Sequence, residues 1–236
     1  MHAEASTALV PGVDIPAALL WDFDGTLVDS EKSWHAAEAR LMAEWGGGVM
    51  TPEQHHSLVG NSLRDSALAI MEWTGRTEED PDHWAGVLND YALADMVTVG
   101  VDYRPGAREL LDAARAHGVR CALVSASWTS VLTHVVDTMP AGSFEIIIGG
   151  DAVTHGKPDP EPYLLATQRL GLAIRDCLAL EDSLPGTTSA HRAGLATLAI
   201  PFEQEIGPAP RRRLVPTLDG LTIAEVGAHW RELRDA

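Results

Sequence analysis

Residues 19–31 read LLWDFDGTLVDSE, an apolar run that ends in Asp22 and Asp24, two positions apart. The run from Pro16 to Trp21 fits a short strand buried on both faces, as parallel sheets use. Why an already acidic chain should put two more carboxylates at the end of such a strand depends on what surrounds them.

Working outward, the pattern after Ser30 turns helical. Trp34, Ala37, Leu41 and Trp45 recur at helical spacing, and the glycines at 46–48 stop that helix. Thr51-Pro52-Glu53-Gln54 has the form of a capping box with proline at the first helical position. Ser62 to Asp65 is a weaker start closed by Gly75, and Asp80-Pro81 opens a further helix. After Gly100 the chain alternates helix and strand: RPGARELLDAARAHG, VRCALVSAS, SWTSVLTHVVDTM, FEIIIGG, DPEPYLLATQRLG, CLALEDS, LPGTTSAHRAG, LATLAIP. Repeated β-α units with short connections predict an α/β, Rossmann-like, doubly wound parallel sheet. An all-helical insert of about 65 residues interrupts it after its first strand. The predicted boundaries are a mobile lead-in over 1–16, core over 17–31 and 98–236, and insert over 32–97, with a last helix at TIAEVGAHWRELRD.

The bulk numbers exclude several classes. With 45% hydrophobic and 22% charged residues, the 236-residue chain has a globular composition. A net charge of −17 argues against nucleic acid and anionic membranes as partners. No apolar run approaches the ~18 residues of a membrane span. No Lys or Arg precedes Lys32, so a secretory leader is not expected and the reading is cytoplasmic. Cys121 and Cys177 lie in apolar runs and read as buried thiols. The one basic run, Arg211-Arg212-Arg213, reads as a solvated loop, and His55-His56 as a solvated helix pair. Trp34, Trp45, Trp73 and Trp84 read as the core of the insert, with one of them lining the cleft.

In open parallel sheets, ligands bind beyond the carboxyl ends of the strands. Asp22, Asp24, Ser125, Lys157, Glu181 and Asp182 all fall at such ends or in the loops that follow. Unit charges about 4 Å apart repel by roughly 4 kcal/mol at an effective dielectric near 20, so this rim calls for a cation. Oxygen-only ligands suit Mg²⁺ better than Zn²⁺. A dication, the Lys157 ammonium and the Ser125 hydroxyl facing one point would receive a phosphoryl group and reverse the local sign of charge. A carboxylate there can serve as nucleophile.

These stretches closely resemble the haloacid dehalogenase superfamily of phosphotransferases. WDFDGTLVDS is similar to its first motif, LVSAS to its second, HGKPDPEPY to its third and LEDSLPGTTSAHRAG to its fourth. The resemblance implies Asp22 as nucleophile and Asp24 as general acid/base with its backbone carbonyl on Mg²⁺. It implies Thr26, Ser125, Ala126 and Lys157 around the phosphate. Asp182 would bind the metal, and Glu181 directly or through water. Gly25 would permit the turn that aims both aspartates. The insert resembles the family's small cap, which would close by hinging near 29–31 and 97–101.

Asp24 favours phosphoryl transfer over dehalogenation, and the scarcity of insert lysines argues against phosphonate cleavage. The mutase pattern places Arg directly after the cap's G-x-S, where this chain has Leu63 and then Arg64. Trp128 stands where a Lys is expected, and Trp34 where a His is, with His35 beside it. The expectation is therefore a Mg²⁺-dependent phosphatase acting on a small phosphorylated metabolite, as a monomer, with Arg64 and His35 as candidate substrate contacts. β-Phosphoglucomutase-type chemistry is the alternative, and a non-catalytic phospho-ligand sensor is the alternative of another class. Mg²⁺-dependent phosphate release from p-nitrophenyl phosphate separates enzyme from sensor.

Overall fold

The computed structural model describes residues 14–236. Six strands form one parallel sheet in the order β5-β4-β1-β6-β7-β8. They are β1 (Ala18–Trp21), β4 (Arg120–Val124), β5 (Ile146–Ile148), β6 (Cys177–Glu181), β7 (Ala196–Ala199) and β8 (Arg212–Leu214). β1 is central, with Ala18 in register with both Arg120 and Cys177. The chain fills one side of β1 with β4 and β5, then crosses to build β6, β7 and β8 on the other. The reversal beside β1 opens a crevice at the carboxyl ends of the strands, so the ligand position follows from topology.

Alternation along the strands divides the core. Leu19, Trp21, Leu123, Leu180 and Leu198 point to one face, packed by α5 (Ala107–Ala116), α6 (Thr129–Asp137) and α9 (Ile223–Arg234). Ala18, Leu20, Val124 and Ala179 point to the other, under α7 (Glu161–Leu170) and α8 (Leu184–Arg192). Both cysteines are buried free thiols.

Between β1 and β4 run α1 (Glu31–Glu44), α2 (Pro52–Leu58), α3 (Leu63–Thr74) and α4 (Pro81–Val99). Their starts are chemically marked. Thr51 and Gln54 form the capping box, Ser62 accepts from the Asp65 N–H, and Asp80 accepts from the Asp82 N–H. Gly75, left-handed at φ 71°, closes α3. Trp45 and Trp84 meet edge to face with ring centroids 4.5 Å apart, as befits core tryptophans.

Three features depart from expectation. The arginine run is not a loop: Arg212–Leu214 form the edge strand β8, parallel to β7. The two crossings between sheet and insert, β2 (Val28–Asp29) and β3 (Asp102–Tyr103), pair with each other as a short antiparallel ribbon. The lead-in expected over 1–16 lies outside the described residues up to 13, and residues 14–16 are docked. Ile15 packs against the core, and Arg231 donates to the Asp14 carbonyl. Among the described residues no helix is long and apolar enough to cross a membrane.

Candidate active site

Asp22 directly follows β1, its N–H still bonded to the Leu180 carbonyl at 3.0 Å, so the sheet itself fixes where its carboxylate starts. The chain then folds back sharply. The Phe23 carbonyl accepts from the Leu27 and Val28 N–H groups, and the Gly25 N–H bonds the Val28 carbonyl at 2.8 Å. Gly25 sits at φ +80°, and a Cβ there would fall 2.1 Å from Asp182 Oδ2. Only glycine permits both that backbone and that approach.

Lys157 organises the floor. Its Nζ donates to Asp22 Oδ1 and Glu181 Oε1 at 2.6 Å each and to the Val124 carbonyl at 2.8 Å. Tyr163 of α7 donates to the same Glu181 oxygen from below. At Gly186 of α8, a Cβ would lie 1.9 Å from Glu181 Oε2, so the helix start is shaped around this carboxylate. Asp22, Glu181 and Asp182 bring one oxygen each within 4.8 Å of one another, all buried. Burial, then the Glu181 and Asp24 charges, push the Asp22 carboxyl up to about 7 against the pull of Lys157. Asp182 is likewise pushed well up, by burial and then by Asp22 and Glu181. Burial works against a charged Lys157, but its two carboxylate partners outweigh it and hold the ammonium protonated.

Does this donor set fit a metal ion? Three carboxylates face one ammonium, which leaves two negative charges in a buried site. Asp22 Oδ2 is buried with no hydrogen-bond partner. Three buried carboxylates with more charge than one ammonium can balance suit a hard dication with oxygen ligands, and Mg²⁺ fits.

Asp24 stands apart from that cluster and is held by four side-chain donors. Ser30 and Trp34 donate to Oδ1 at 2.5 and 2.6 Å, and Ser125 and Ser127 to Oδ2 at 3.1 and 2.6 Å. Ser30 and Trp34 lie at the entrance to the insert, whereas the other two follow β4. Neither Ser30 nor Ser127 was expected at the site, whereas Trp34 is the insert tryptophan that lines the cleft. A serine two residues past a strand end carries no signal of its own.

Above this floor an open cleft lies between sheet and insert. Asp22, Asp24, Ala126, Ser127, Lys157 and Asp182 line it from the core; Glu31, Trp34, His35, Glu38 and Asn61 line it from the insert. The buried Ser125 is not among the lining residues; its hydroxyl is engaged with Asp24 and with the Ser127 N–H at 2.9 Å. Thr26 lies beneath, donating to Asp182 at 3.4 Å. Two expectations fail. Arg64 does not reach the cleft: it is exposed and pairs with Asp82 at 2.9 Å. Of the expected solvated pair, His56 is exposed but His55 is only partly so and turns inward, its ring centroid 4.5 Å from that of His35. His35 does line the cleft.

The family described as haloacid dehalogenase-like hydrolase matches residues 19–200. The protein CbbY of Rhodobacter capsulatus is 31% identical over 211 residues, covering 80% of this chain and 87% of that one. A phosphoglycolate phosphatase of Nitrosospira multiformis is 30% identical over 190 residues, covering 78% and 83%. The crystal structure of CbbY from Rhodobacter sphaeroides in complex with phosphate superposes with a TM-score of 0.77 at 25% identity, covering 88% and 96%.

Proposed function

The chain belongs to the haloacid dehalogenase-like hydrolases and is a phosphatase, and we propose that it hydrolyses a small phosphomonoester with Mg²⁺ through an aspartyl-phosphate. The observation that carries this reading is the state of Asp22. Lys157 occupies Oδ1, whereas Oδ2 is buried and unpartnered in the cleft floor. One carboxylate oxygen is thus fixed and the other left as nucleophile.

Asp22 and Asp182 would hold the ion, with the Asp24 carbonyl and with Glu181 directly or through water. When bound, it would screen the charge on the phosphoryl oxygens. Asp22 Oδ2 attacks phosphorus, the bond to the leaving oxygen breaks, and Asp24 gives that oxygen a proton. A water molecule then attacks the phosphoryl phosphorus, its proton goes to Asp24, and inorganic phosphate leaves with Asp22 regenerated. The surroundings of Asp24 support the two-way role. The Ser30, Ser125 and Ser127 hydroxyls can donate or accept as it gains or loses a proton, and the Trp34 indole can only donate. Lys157 and the residues after β4 keep positive charge and donors around the phosphate.

Asp22→Asn tests the assignment. Mg²⁺-dependent phosphate release from p-nitrophenyl phosphate should drop by about 10³-fold or more, with the thermal transition retained. Turnover near the wild-type rate would remove Asp22 from the mechanism. A mutase fits less well: it must grip a second phosphate, and among the described residues no Lys or Arg of the insert lines the cleft.

A further inference from the structure

A phosphatase site of this kind leaves open what the phosphate is attached to. The cleft wall contributed by the insert bears on that. Glu31, His35 and Glu38 line up on one face of α1, and the ring of His55 of α2 lies tilted against that of His35. Three polar atoms in this wall are left over: Glu38 Oε2, His35 Nε2 and His55 Nδ1. Glu38 has a side chain only 8% exposed, and its Oε2 has no hydrogen-bond partner; His55 Nδ1, at 3.8 Å, is too far to bond it. His35 Nε2 is equally unpartnered, 3.5 Å from Glu31 Oε2. Glu203 adds a third carboxylate beside Glu31 and His35.

A buried carboxylate oxygen without a donor is a standing cost unless a ligand supplies the donor. Cations are scarce here. Lys157 is the sole Lys or Arg lining the cleft among the described residues, and its three hydrogens are committed to Asp22, Glu181 and the Val124 carbonyl. A carboxylate or second phosphate on the leaving group would therefore face Glu31 and Glu38, both charged once the pH exceeds about 8, with only the His35 and His55 rings beside them. Such like-charge contacts are how a site rejects wrong ligands.

We propose that this wall selects a phosphomonoester whose leaving group brings hydrogen-bond donors, hydroxyls or an ammonium, and carries no negative charge. The proposal rests on the phosphatase reading above and narrows its substrate class. It sets this chain apart from enzymes whose leaving group is a glycolate carboxylate or a sugar bearing another phosphate.

The test is kcat/KM of the full-length protein with Mg²⁺ at about pH 9, where both glutamates are charged, for three substrates of similar size: ethanolamine phosphate, glycerol 1-phosphate and phosphoglycolate. At least one of the first two should exceed phosphoglycolate by about 100-fold. Whichever is faster identifies the donor as ammonium or hydroxyl, and either upholds the proposal. Glu38→Gln removes the charge at constant shape and should shrink that preference to about 10-fold or less. Phosphoglycolate turned over as fast as both others overturns the proposal, as does an unchanged preference in the variant. The wild-type comparison stands even if the variant misfolds. Absence of phosphate release from all three and from p-nitrophenyl phosphate as well is a different failure, since it removes the phosphatase reading itself and this proposal with it.

Discussion

Glu38 should weaken the fold that it serves. Burial pushes its carboxyl from the ordinary 4.5 up to about 8, with a hydrogen bond from Ser66 only partly opposing. A carboxyl raised in the folded state binds its proton more tightly there than in the unfolded chain. Stability is therefore fullest below about pH 4.5, falls as pH rises, and levels off above about 8. At about 1.4 kcal/mol per pH unit, the ceiling on this penalty is about 5 kcal/mol. Water in the open cleft and local relaxation reduce it to about 2–3 kcal/mol. Glu38→Gln keeps the shape and cannot ionise. Metal-free urea unfolding should show the variant within about 1 kcal/mol of wild type at pH 5 and more stable by about 2–3 kcal/mol at pH 8.5. Equal stability at both pH values, or a variant destabilised at pH 8.5, would refute the reasoning, because it would mean that the carboxylate has a compensating partner.

Lys157→Met leaves Asp22, Glu181 and Asp182 without their ammonium. The metal-free fold should lose about 3–5 kcal/mol at pH 8 and less at pH 5, where protons replace the lysine; urea midpoints with and without Mg²⁺ read this. Trp34→Phe deletes one obligatory donor to Asp24 and should lower kcat about 10-fold with a smaller change in KM, measured by steady-state phosphate release. A larger effect on KM than on kcat would assign Trp34 to substrate binding alone. Arg64→Ala should change kcat/KM less than about 2-fold, since the side chain is exposed and paired with Asp82. A 10-fold loss would return Arg64 to the site.

The sheet was legible because strands buried on both faces appear as short unbroken apolar runs, and helix starts in the insert carry explicit caps. β8 was not. Arg212 and Arg213 sit half-buried on an edge strand paired only with β7, and no apolar pattern announces it. Arg64 was not legible either: it sits at the margin of the buried face of α3, one and two turns before Ala67 and Met71, and only its pairing with Asp82 shows that the side chain leans out. The four carboxylates and Lys157 were legible because strand ends share one rim. The serines around Asp24 and the inward turn of His55 were not, since each depends on a partner brought near only by tertiary packing.

The ribbon of β2 and β3 has a mechanical consequence. Both crossings into the insert are hydrogen-bonded to each other, so a tilt of the insert would carry both together. Ser30 and Trp34 begin immediately beyond that line and grip Asp24. Any outward tilt would pull on two of the four donors that hold this carboxylate, so access to the cleft and the setting of Asp24 would be coupled.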